Sequence, residues 1–177
     1  YSQGFTYNRL RQKTEALESF QAALRLRPEA VDWWQQLGQI ALETRKLDLA
    51  LEAFQQVTTR NPAWSTGWTY RGLTLAEQNN LNEANAAYRE ALRLNPQDAL
   101  ALESLGMAYA TINQLDRAID AFQQAVRLVP TKGSVWLNLG TVLTQRKRFQ
   151  EALDASQKAT YLLPGSSKAW YSLGHVH

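Results

Sequence analysis

Apolar residues recur along this chain with two nested periods, a helical one and a longer one of 34 residues. Between Val31 and Trp64 the first apolar set is Trp34, Leu37, Gly38 and Ala41. At about 100° per residue these four share one narrow arc, as on a one-sided helix, here called helix A. A short polar turn follows at Arg45-Lys46, and then a second set, Ala50, Leu51, Phe54 and Val57, predicts helix B. Both stripes return further on: Trp136, Leu139, Gly140 and Leu143 repeat the first, and Ala118, Ile119, Phe122 and Ala125 repeat the second. The prolines Pro28, Pro62, Pro96, Pro130 and Pro164 stand 34 apart, and so do Gly4, Gly38, Gly72, Gly106, Gly140 and Gly174. Ala16, Ala50, Ala84, Ala118 and Ala152 keep the same step. A gapless period of this length predicts a stacked repeat array in which each unit buries its apolar face on its neighbours.

Repeat position 1 is set at Val31, Ser65, Ala99, Gly133 and Ser167. The expected array covers residues 1–177, with a partial repeat at 1–30, whole repeats at 31–64, 65–98, 99–132 and 133–166, and the first helix alone at 167–177. Both ends fall inside a helix of the pattern, so a fragment or a chain with further flanks is expected. Asp48, Asn82 and Asp116 stand where an N-cap of helix B is wanted. Proline ends helix B by forcing its predecessor out of the α region. Glycine within a helix costs about 0.5–1 kcal/mol against alanine. Its recurrence at position 8 is read as close packing of the two helix backbones, with alanine at position 20 opposite.

The remaining face of helix A carries the candidate chemistry. Positions 2, 5, 6, 9 and 13 project away from the apolar arc. They give Asp32, Gln35, Gln36, Gln39 and Glu43 in the second repeat, and Thr66, Thr69, Tyr70, Leu73 and Glu77 in the third. The fourth has Leu100, Glu103, Ser104, Met107 and Thr111, and the fifth Ser134, Leu137, Asn138, Thr141 and Gln145. Amides, hydroxyls and scattered apolar residues suit a ligand surface better than plain solvated helix, which is usually loaded with lysine and glutamate. Tyr70 and Tyr171 are candidate anchors, because tyrosine is enriched at binding hot spots. Glu43, Glu77 and Glu103 favour a net-basic ligand. Trp34, Trp68, Trp136 and Trp170 at position 4 are assigned to core packing. Trp33 and Trp64 are off the pattern and fit either a contact surface or filling between repeats.

Bulk composition narrows the functional classes. Hydrophobic residues make up 45% and charged residues 20% of the chain, which marks a folded protein. The formal charge is only +3, gathered at the two ends, so the continuous basic stripe of a nucleic-acid binder is missing. No apolar run is long enough for a membrane-spanning helix. The absence of cysteine excludes disulfides and thiolate metal sites and leaves the redox compartment open. His175 and His177 are the only histidines. Two apart on a helix, they do not share a face for a metal. No phosphate loop, nucleophile elbow or HExxH motif occurs, so neither catalysis nor a cofactor is expected. The Arg146-Lys147-Arg148 run falls in a turn and reads as solvated, with an acidic partner as the alternative.

Trp34, Leu37 and Gly38, then Leu105, Gly106 and Tyr109, then Ala118, Phe122, Ala125 and Pro130 follow a W-x-x-L-G-x-x-Y … A-x-x-x-F-x-x-A … P pattern. That pattern resembles the tetratricopeptide repeat (TPR) family and recurs along essentially the whole chain. The resemblance implies an all-α solenoid of antiparallel helix pairs in a right-handed superhelix, with a concave groove lined by helix A. It further implies a protein-interaction scaffold that takes an extended or helical peptide. Arg71 at position 7, Asn85 at position 21 and Ser156 at position 24 depart from the pattern and suggest looser packing in the third and fifth repeats. The family's carboxylate clamp needs lysines and asparagines at positions 5, 6 and 9, where only Asn138 fits. An asparagine ladder at position 6, seen in TPR arrays attached to sugar-transferring enzymes, has only Asn138 here, since that position runs Ser2, Gln36, Tyr70, Ser104, Asn138 and Ser172. Two alternatives remain open: a substrate-recruiting segment of a larger enzyme, such as a glycosyltransferase, or self-assembly through the apolar ends.

Overall fold

The computed structural model describes residues 2–176, with side-chain surroundings for 12–175. Ten helices and no strands are found among the described residues, forming two compact units, Tyr1–Leu94 and Asn95–His177. The first unit holds α1 (Ser2–Leu26), α2 (Val31–Glu43), α3 (Leu47–Arg60), α4 (Ser65–Glu77) and α5 (Leu81–Leu94). The second holds α6 (Ala99–Thr111), α7 (Leu115–Leu128), α8 (Gly133–Gln145), α9 (Phe149–Leu162) and α10 (Ser167–Val176). Even-numbered helices from α2 onward are the A helices, and α3, α5, α7 and α9 are the B helices. Each A helix packs antiparallel on the B helix that follows it, and within a unit each B helix packs on the next A helix. The fold is an all-α array of stacked helix pairs, as the periodicity predicts and as the family resemblance implies.

The first repeat departs from the expected pair. Its helix A, turn and helix B are one continuous helix, α1. In later repeats position 15 adopts the left-handed conformation, at Arg45 (φ 57°), Asn79 (63°), Asn113 (58°) and Lys147 (62°). The next amide then reaches back five residues, as Lys46 N to Ala41 O at 2.8 Å, while Arg45 N bonds Leu42 O at 3.0 Å. This paired closure stops helix A, and it recurs at all four turns. None of the four residues is glycine, so each L side chain meets its own carbonyl there at a cost of about 1–2 kcal/mol.

The turn also relocates the caps. Helices α3, α5 and α7 start at Leu47, Leu81 and Leu115, which places Asp48, Asn82 and Asp116 at the second helical position instead of the N-cap. Asp48 accepts from Gln78 Nε2 at 2.9 Å, and Asp116 from Arg146 Nε at 2.8 Å. The residues join one repeat to the next. The described side-chain cap is on α6, where Asp98 accepts from the amides of Leu100 and Ala101.

Packing inside a repeat is a glycine under a ring. A Cβ placed on Gly38 would lie 2.7 Å from Phe54 Cζ, one on Gly72 2.5 Å from Tyr88 Cε1, and one on Gly106 2.7 Å from Phe122 Cε1. The glycine at position 8 thus makes room for the aromatic at position 24, more than for the alanine at position 20. In the fifth repeat the ring is replaced by Ser156, and α8 meets α9 more closely at that point, with Gly140 facing the Ser156 hydroxyl. Gly4 lies outside the residues with described surroundings.

Of the tryptophans at position 4, Trp34, Trp68 and Trp136 are half-buried and Trp170 is exposed, so none is fully in the core. Their indole N–H groups donate to proline carbonyls six residues back: Trp34 to Pro28 (2.8 Å), Trp68 to Pro62 (2.9 Å), Trp136 to Pro130 (2.8 Å) and Trp170 to Pro164 (3.0 Å). A carbonyl at the end of helix B has no helical partner, and the indole supplies one while its ring covers the joint. Trp33 packs beside the core of Leu17, Leu24, Leu37 and Phe54, so it fills space between repeats. Trp64 is half-buried at the N-cap of α4.

Candidate functional site

The open face of the A helices is narrower than the helical wheel suggests. Position 5 is buried in the second to fourth repeats, at Gln35 (5% exposed), Thr69 and Glu103, and so is Ser104 at position 6. An A helix in an array has neighbours of its own kind on its flanks, which an isolated wheel omits. Glu103 shows the consequence: it accepts from Lys132 Nζ at 2.6 Å and Ser134 Oγ at 3.2 Å, both near the start of α8. These four candidates lie largely out of solvent, and Gln35 Oε1 is buried without a hydrogen-bond partner.

The expected net-basic preference loses its footing for a related reason. Glu43 is paired with Lys13 at 2.7 Å, Glu77 with Arg45 at 3.2 Å, and Glu103 with Lys132. Lys13 and Arg45 come from the preceding repeat, and Lys132 is the last residue of Glu103's own repeat. Each of these carboxylates already has a cation of the chain beside it.

Tyr70 is also committed, because its ring stacks on Phe54 with centroids 5.4 Å apart. Position 24 of one repeat therefore meets position 6 of the next across the floor of the furrow between two A helices. Phe122 and Asn138 line one such furrow, a cavity of about 300 Å³ between α6 and α8 that also touches Met107 and Thr141. At the corresponding place between α8 and α10 the pair is Ser156 and Ser172, whose hydroxyls lie 3.1 Å apart. There the ring is missing and the furrow opens to about 820 Å³.

This larger cleft gathers residues from three helices. Leu137, Asn138 and Thr141 come from α8, and Tyr171, Ser172 and His175 from α10. Lys147, Phe149 and Lys168 complete its edge. Phe149 is 53% exposed and Tyr171 75% exposed, so two aromatic faces meet water here. Of the expected site residues, Asn138, Thr141 and Tyr171 come together in this cleft, and Met107 joins Asn138 and Thr141 in the smaller one. Gln36 is exposed on α2, Gln39 and Leu73 are half-buried on α2 and α4, and none of the three lines a described cavity.

Sequence reasoning missed Phe149 and Lys168, and named Lys147 only within a run read as solvated, with an acidic partner as the alternative. Phe149 had a signal, since the other repeats carry Leu47, Leu81 and Leu115 at its position. Ser156 was noticed as a departure but read as loose packing, whereas it is fully buried and hydrogen-bonded. In the third repeat Arg71 lies over Trp68 at 5.3 Å with Nε unpartnered, and Asn85 is buried with Oδ1 unpartnered.

No group of three His, Asp or Glu side chains is disposed to hold a metal among the described residues, and His177 falls outside them. No helix among the described residues is long and apolar enough to cross a membrane.

Comparison with known proteins follows the geometry. A tetratricopeptide repeat family model matches residues 5–63, 71–133 and 113–167. The chain belongs to the tetratricopeptide repeat family. No curated protein matches it in sequence. Among solved structures, MamA from Desulfovibrio magneticus RS-1 superposes with a TM-score of 0.77 at 20% identity, over 82% of this chain and 82% of that one. YrrB, described as a TPR protein with an unusual peptide-binding site, gives 0.77 at 20% identity over 93% of this chain and 85% of that chain. A thermophilic TPR protein of Thermus thermophilus gives 0.71 at 22% identity over 99% and 95%. At such identities the likeness speaks to the fold.

Proposed function

We propose that this TPR chain is a non-enzymatic interaction scaffold that holds a peptide or protein segment against its A helices. The observation that carries the reading is the pair of open furrows on α6, α8 and α10, lined by Met107, Asn138, Thr141 and Tyr171. Volumes of about 300–1,000 Å³ are usual for ligand sites. Amide and hydroxyl groups beside apolar ones suit a peptide, whose backbone needs hydrogen bonds while its side chains need apolar cover. Peptide-binding in a fold relative, YrrB, supports the same direction.

Selection of a random displayed peptide library on the intact chain tests this reading. Enriched peptides should lose binding to Thr141→Trp, which blocks both furrows, and keep it with Asp120→Arg on the exposed side of α7. Failure to enrich any peptide, or insensitivity to Thr141→Trp, rejects it.

Self-association is a second reading, favoured by one observation. Tyr161 and Trp170 are largely exposed, and nothing lies within 4 Å of a Cβ built on Gly174. Sedimentation over a wide concentration range tests it, and a monomer throughout dismisses it.

A further inference from the structure

We propose that the cleft between α8 and α10 selects an acidic peptide segment carrying an apolar anchor side chain. The inference rests on the scaffold reading above and names the ligand class of its larger furrow. Three observations carry it.

The first is the missing plug. Where Phe54 stacks on Tyr70, and where Phe122 stands in the smaller furrow, the floor is closed by a protein ring. Ser156 and Ser172 close the equivalent floor with two hydroxyls bonded to each other, leaving space that a ligand ring or aliphatic chain can occupy. Phe149 and Tyr171 offer it aromatic walls.

The second is the charge. Lys147, Lys168 and His175 line the cleft, and among the described residues no carboxylate does. A basic segment would meet only like charge and a surface without acceptor anions. An acidic one meets two flexible ammonium groups around an apolar floor.

The third is how the basic turn is divided. Arg146 is held by Asp116 at 2.8 Å, and Arg148 by Glu151 at 2.7 Å. Lys147, between them, makes no such pair among the described residues, and its left-handed backbone (φ 62°) places it at the cleft edge. The arginines are consumed by the joints between and within repeats, and the lysine is left for a partner. The cations sit at positions 15 and 2, away from positions 5, 6 and 9.

The carboxylates could be aspartate or glutamate side chains or a peptide's own C-terminus, and amidated probes separate these sources. Fluorescein-labelled peptides with a central phenylalanine or leucine flanked by acids, by lysines or by serines are titrated onto the intact chain, each as free acid and as amide. The acidic set should bind tightest, weaken with salt, and lose about tenfold on Lys147→Glu with Lys168→Glu, since two attractions become repulsions. The lysine-flanked set should gain from the same change. Both substitutions are on exposed side chains, so folding is kept. Ser156→Phe should weaken every anchored peptide by raising the floor. Loss of binding on amidation alone assigns the anion to a chain terminus.

Peptides that lose binding on Thr141→Trp but ignore salt and charge reversal overturn this inference and leave the scaffold reading standing. Peptides indifferent to Thr141→Trp overturn both. Dimerisation that Thr141→Trp abolishes, without peptide binding, assigns the cleft to a second copy and also overturns it.

Discussion

The furrow between α2 and α4 and the furrow between α8 and α10 are built from the same repeat positions, yet they differ in what is already satisfied. In the first, Phe54 and Tyr70 stack across the floor, and salt links from Lys13 to Glu43 and from Arg45 to Glu77 run from repeat to repeat. In the second, two serines take the place of the two rings, and Lys147 and Lys168 carry charge with no described partner. A repeat array can therefore hold its backbone constant and create a binding place by deletion. Removing a ring at position 24 opens volume. Leaving out the opposing carboxylates frees the cations beside it.

The comparison breaks most severely at the ring itself. Phe54→Ala removes a fully buried side chain on which Gly38 and Tyr70 both rest, and should cost about 3–5 kcal/mol in denaturant unfolding. An alanine at Ser156 removes only one hydroxyl and should cost far less. If the two losses were equal, the ring would not be the key of the repeat.

Glycine substitutions give the next largest contrast. Gly38→Ala pushes a methyl to 2.7 Å from a ring that has nowhere to move, and should cost about 1–3 kcal/mol. Gly174→Ala meets nothing within 4 Å and should gain helix stability of about 0.5–1 kcal/mol. Thermal melts of the two variants should shift in opposite directions.

Lys147→Gly sharpens the comparison by separating stability from binding. Relief of the left-handed strain should raise stability by about 1 kcal/mol. The same change should weaken binding of acidic peptides. A fall in stability would show that the lysine side chain holds the turn.

The smallest effect expected is at Asp116. The hydrogen bond from Arg146 holds its carboxyl below the usual aspartate range. The stabilisation is complete above that range, where the unfolded chain is also ionised. It is lost as pH falls from there through the lowered folded value, because the unfolded state takes up the proton first. Asp116→Asn should flatten that part of the acid limb, and salt should shrink the difference, as for any exposed pair.

Several of these features could be seen in the chain before its structure. The 34-residue step and the helix pairs from the second repeat onward follow from the spacing of Pro62, Gly38 and Phe54 and their counterparts. The pattern matches the glycine to the alanine at position 20, whereas the structure sets it under the ring at position 24. The candidate site was only partly legible. Thr69 and Glu103 looked exposed because a helical wheel knows one helix, whereas both are buried, Glu103 against Lys132 and Ser134 at the start of α8. Tyr70 looked like an anchor for a ligand, but Phe54 is its partner. The run holding Lys147 reads as solvated, with an acidic partner as the alternative, and nothing local shows that Asp116 and Glu151 take the arginines on either side.

Periodicity along the chain was enough to set the architecture, since burial of an apolar stripe at 3.6 residues per turn and a proline every 34 leave few ways to stack. Which polar groups remain free was decided by contacts between residues about 16 to 31 apart, such as Ser156 with Ser172 and Glu103 with Lys132 and Ser134. Local pattern specifies the face a residue shows. Only packing against the neighbouring repeat determines whether another side chain already occupies it.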